Sequence, residues 1–70
     1  MKAFSVCYTF ESNIQWEQMT TELGTSVEEV TDEVLNRLEG SRFVTLQGDA
    51  GTCIINAALV RQVRVVDLEN

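Results

Sequence analysis

Residues 11–24 read ESNIQWEQMTTELG, and the fold turns on whether they coil or extend. Trp16, Met19, Thr20 and Leu23 recur at i, i+3, i+4 and i+7, the stripe of an amphipathic helix. Ser12 with Gln15 has capping-box spacing, and Gly24 stands where a helix would stop. The other reading is a tight turn at Glu11–Asn13 followed by a strand with Ile14 and Trp16 facing the core. That alternation breaks at Gln18. The helical stripe is favoured on spacing, and residues 12–23 are expected to form either a short helix or a further strand.

The flanking segments are plainer. Residues 2–10, KAFSVCYTF, alternate with period two. Phe4, Val6, Tyr8 and Phe10 fall on one side and Ala3, Ser5, Cys7 and Thr9 on the other, which predicts a strand. Residues 26–40, SVEEVTDEVLNRLEG, predict a helix over 27–39. Ser26 and Glu29 have the S-x-x-E capping-box spacing. Val27, Val30, Val34, Leu35 and Leu38 form its apolar face, and Gly40 is placed to be C′.

Beyond the helix, residues 43–47 and 52–56 predict a hairpin joined through Gly48-Asp49-Ala50-Gly51, with both glycines supplying positive φ. Residues 57–60, AALV, suit a helical turn capped by Asn56. Residues 61–68 suit a last strand with Val63 and Val65 facing inward. The expected fold is therefore α+β: a small antiparallel sheet of about four strands (2–10, 43–47, 52–56, 61–68) with one amphipathic helix packed on one face. Residues 1–70 are expected to form a single domain.

The stretch FVTLQGDAGTCIINAALVRQVRV (43–65) resembles the ending of small actinobacterial proteins of strand-helix-hairpin type. Gly51, Ile55, Asn56, Val60, Val63 and Val65 carry the likeness. It implies the fold alone. No activity and no functional residue come with it.

Composition limits the function classes. The chain has 70 residues, a net charge of −6 and no histidine. A core of this size is small, so a second copy or a partner would add usefully to stability. A homodimer built through a sheet edge or an apolar sheet face is expected. The negative charge lies in residues 1–40, where Lys2 and Arg37 stand against eight acids. No basic footprint exists for direct nucleic-acid binding or for an anionic membrane. No signal segment is read at the start, and the location is taken as cytoplasmic.

The densest acid lies on the helix. Glu28, Glu29, Asp32 and Glu33 form the candidate partner surface; the alternative is a solvated helix face. Glu28 and Glu29 sit in the first turn, where the helix dipole favours anions. Glu33 and Arg37 have favourable i, i+4 spacing, whereas Glu28–Asp32 and Glu29–Glu33 are like-charge pairs costing about 0.2–0.5 kcal/mol each. Trp16 is read as the main core aromatic rather than an exposed anchor.

Cys7 and Cys53 are read as reduced, buried thiols. Without histidine there is no Cys–His pair, and two thiols fall short of a structural zinc site. The glycines of QGDAGT (47–52) lack the ending of a phosphate loop. No catalytic residue, cofactor or metal is expected. The reading is a non-catalytic interaction or regulatory protein working through protein–protein contacts. The alternative is an acidic phage-type or accessory inhibitor that occupies a basic, nucleic-acid-binding surface.

Overall fold

The computed structural model describes residues 1–69. The chain is α+β, in the order β1 (Lys2–Thr9), β2 (Ile14–Thr21), α1 (Val27–Gly40), β3 (Phe43–Gly48), β4 (Gly51–Asn56), a 3-10 turn (Ala57–Leu59) and β5 (Gln62–Asp67). The strands form two antiparallel sheets rather than one. One has the order β2-β1-β5 and the other is the β3–β4 hairpin.

β1 is the middle strand. Its register sets Val6 beside Glu17 of β2 and Val65 of β5, and Tyr8 beside Gln15 and Val63. Phe4, Val6 and Tyr8 are fully buried, as their alternation predicts. With Val30 and Val34 of α1, Val44 and Leu46 of β3 and Ile55 of β4 they make up the core. Phe10, Leu38, Val63 and Val65 pack against its margin. α1 packs against β5 and β3, and β3 adjoins β2, so the helix and both sheets enclose one core.

The segment that decides the fold is a strand, not a helix. β2 pairs with β1 along its whole length, and Phe10 N donates to Asn13 O at 2.8 Å across the connecting turn. Its faces are also reversed from the extended reading. Glu17 is buried, with Gln15 and Met19 half-buried beside it, while Ile14 and Trp16 are exposed. Trp16 is 44% exposed and is not the core aromatic. Ser12 caps nothing, because no helix follows it. Gly24 takes φ +89 in the turn that leads to α1, where Thr25 N donates to Glu22 O at 3.3 Å.

α1 starts as its capping spacing predicts: Glu29 N donates to Ser26 Oγ at 3.2 Å. Its end differs from the sequence reading. Gly40 is the last helical residue, and the extended Ser41 caps the helix, so no left-handed C′ glycine is used. The hairpin turn uses one left-handed glycine, not two. Gly51 has φ +116. Gly48 answers to space instead, since a Cβ there would stand 3.0 Å from the Trp16 carbonyl oxygen. The 3-10 turn is capped by Asn56, whose Oδ1 accepts from Ala58 N at 3.0 Å.

Candidate functional site

Arg37 follows Val30 and Val34 at i, i+4, i+7, so it stands on the inward stripe of α1. A guanidinium there needs a carboxylate. Glu33, four residues back on the same helix, is not that partner. Arg37 reaches Glu17 on β2, with Nη2 2.7 Å from Oε1 and Nη1 3.2 Å from Oε2. Tyr8 on β1 completes the group. Its hydroxyl donates to Glu17 Oε1 at 2.6 Å and accepts from Arg37 Nη2 at 2.9 Å. Three elements thus meet at one two-pronged ion pair.

The cluster is closed. Glu17 is 4% exposed, so its charge has lost its water and is compensated by protein donors instead. Burial, together with the hydrogen bond to Glu17, raises the Tyr8 pKa well above its ordinary value. The hydrogen bond to Glu17 raises that of Arg37 in turn. Arg37 Nε is buried without a partner. The arrangement holds the phenolic proton rather than loosening it, and it locks β1, β2 and α1 together.

A second ion pair ties the ends of the three-stranded sheet. Lys2 Nζ lies 2.9 Å from Asp67 Oδ2, donates to Thr25 O at 3.1 Å and stands 5.3 Å from the centre of the Phe4 ring. The backbone N–H of Glu69 and then Lys2 hold the Asp67 carboxyl below its usual value.

The acids expected to form a partner surface are all exposed. The helix divides them. Glu29 is drawn into the N-cap with Ser26, and Glu33 stands on the side toward Arg37, where its charge adds to the raising of the arginine pKa. At about 100° per residue, Glu28 and Asp32 share a stripe with Leu35 and Glu39, at i, i+4, i+7 and i+11. Leu35 is 45% exposed, an apolar side chain between acids.

That stripe borders a groove of about 480 Å³. Leu35 and Leu38 of α1 line one bank, and Val60, Val63 and Val65 line the other. Glu39 stands on the helix bank and Arg61 at the end near the 3-10 turn. The groove walls are mostly apolar and converge on no cluster of titratable groups. Among the described residues, no three His, Cys, Asp or Glu side chains gather as a metal-ligand set. Nor is any helix long and apolar enough to cross a membrane.

The two thiols differ. Cys7 is buried, as read, in the register row between Trp16 and Arg64. Cys53 is half-buried, not buried, and both are free.

Comparison with family models, curated proteins and solved structures finds no match. The likeness of residues 43–65 to small bacterial domains therefore adds no family to the geometry.

Proposed function

We propose that this chain is a small non-catalytic interaction protein whose working surface is the groove between α1 and β5. The observation that carries the reading is Leu35. It is a large apolar side chain, 45% exposed, in the middle of an acidic helical stripe and at the lip of an apolar groove. Single exposed apolar residues are ordinary, but Leu35 continues into the apolar lining of Leu38, Val60, Val63 and Val65, and a contiguous surface of that kind is one that a covering protein would remove from water. Glu28 and Asp32 would then act at the rim, where charge sets partner choice and association rate more than the depth of binding.

The same residue weighs against a mimic of nucleic acid. A phosphate-like surface calls for acids in series, and Leu35 interrupts the series with a hydrophobic group. We place the action in the cytoplasm, a reducing compartment that keeps two free thiols as thiols.

A photo-crosslinking side chain at position 35, introduced in the native cell, tests the assignment. Covalent protein adducts are expected from Leu35 and not from the more exposed Ile54 on β4. Adducts from both positions alike, or from neither, would sink it.

A further inference from the structure

The groove has a property that its apolar lining does not require: one bank is an open sheet edge. Among the described residues β5 pairs only with β1, so its other side carries no ladder there. Leu68 N donates to Ala3 O at 3.1 Å. In an antiparallel ladder alternate residues turn toward the neighbouring strand. Val66, Arg64 and Gln62 therefore turn their backbone groups toward β1, and Val63, Val65 and Asp67 turn theirs to the open side. Val63 and Val65 also line the groove, facing Leu35 and Leu38. A free edge beside a helix, with an apolar channel between them, is the geometry into which an extended peptide adds as a strand.

Resting on the reading of the groove as the working surface, we infer that its partner is an extended, cationic segment of another protein, which binds as a further strand on β5. Main-chain hydrogen bonds to Val63, Val65 and Asp67 would hold the segment. Its side chains on the helix side would alternate into the channel under Leu35. The acidic stripe sets their charge. From Glu28 to Glu39 the helix rises about 16 Å, a length that five or six residues of extended chain match at about 3.3 Å each. Small apolar side chains suit the middle of that length, and Lys or Arg suits above all the end toward Glu28 and Asp32, since Arg61 stands with Glu39 at the other.

A second copy of this chain fits the edge less well. Antiparallel pairing of β5 with its own counterpart, keeping the helices on one face, opposes Arg64 to Arg64 or Val63 to Asp67. It also brings two acidic stripes together. Like charges directly opposite are destabilising in a sheet.

The test uses the full chain and the blocked heptapeptide Lys-Thr-Val-Thr-Val-Thr-Lys, whose lysines and valines share one face when extended. On binding, the backbone amides of Val63 and Val65 should gain protection from hydrogen exchange. N-methylation of the two peptide valine amides should weaken binding at least tenfold, because main-chain bonds carry the affinity. The protein variant Glu28→Gln, Asp32→Asn, Glu39→Gln should weaken it about tenfold at low salt and much less at high salt. Binding that ignores N-methylation would overturn strand addition. Failure of the peptide alongside intact adducts from position 35 would overturn it too, while leaving the interaction surface in place. Concentration-dependent protection of Val63 and Val65 without peptide would give the edge to a second copy and overturn the cationic partner.

Discussion

Glu17 and Asp32 carry the same chemical group and live by opposite rules. Glu17 is buried on β2 and has exchanged water for a phenol and a guanidinium. Asp32 stands exposed on α1 and, with Glu28, pairs with no cation among the described residues. A buried carboxylate depends on where three side chains sit to within fractions of an ångström. An exposed one depends on solvent, which accommodates almost any position. The first kind of acid ties β1, β2 and α1 together, and the second leaves its charge to solvent.

The most costly substitution is expected at Glu17. Glu17→Gln leaves Arg37 without its counter-charge and should cost about 3 kcal/mol of unfolding free energy, as broken buried pairs do. Replacing Glu17 and Arg37 together by Met, with Tyr8→Phe, should recover most of that loss, because no orphaned charge or hydroxyl remains. Urea unfolding of the variants measures both. A cost under about 1 kcal/mol for Glu17→Gln would put the buried pair on the footing of a surface one.

The buried cluster should also show itself in the response to pH. Tyr8 is the only tyrosine, so phenolate absorbance reports it alone. Unfolded, it ionises near 10.0, whereas in the fold it keeps its proton to higher pH. The unfolded chain therefore releases its proton first. The stabilisation from Tyr8 is whole below pH 10 and is lost as pH rises above it. Phenolate should appear only as the native circular dichroism disappears. Titration near pH 10 within an intact fold would show the cluster to be open.

The smallest effect belongs to the exposed acids. Glu28→Gln, Asp32→Asn and Glu33→Gln together should leave stability within about 0.5 kcal/mol or raise it slightly, since both like-charge i, i+4 pairs disappear. Glu29 is kept because it serves the cap. A loss of more than about 1 kcal/mol in the same urea experiment would mean that these acids have structural partners.

Most of the fold is legible in the residues, and the failure at β2 has a physical cause. β1, α1 and the hairpin each bury apolar side chains at the period of their backbone, and β5 half-buries Val63 and Val65 against the same core. β2 buries Glu17 and exposes Trp16 and Ile14, the reverse of what hydrophobic patterning assumes. Its compensation comes from Arg37, 20 residues further on, a distance no local window spans. A hint was present in the sequence. Tyr8 on an all-apolar strand face needs a partner for its hydroxyl. Arg37 on the stripe of Val30 and Val34 needs a carboxylate. Put together, those two demands point to a buried acid on a neighbouring strand. The acidic stripe was legible as charge, whereas the groove beside it was not. It depends on β5 lying against α1, and that proximity appears only once the chain has folded.

The central position of β1 also sets an order of assembly. β1–β2 and β3–β4 are hairpins between neighbours in sequence, and such units close in about 1–10 μs. β5 must instead find β1 across nearly the whole chain, pairing Phe4 with Asp67 and Thr9 with Gln62. Long-range pairing of this kind is slow, because the loop entropy is lost before any contact rewards it. β5 should therefore be the last strand to dock in folding and, on the reverse path, among the first to leave. The strand that forms one bank of the groove would then also be the last to be secured.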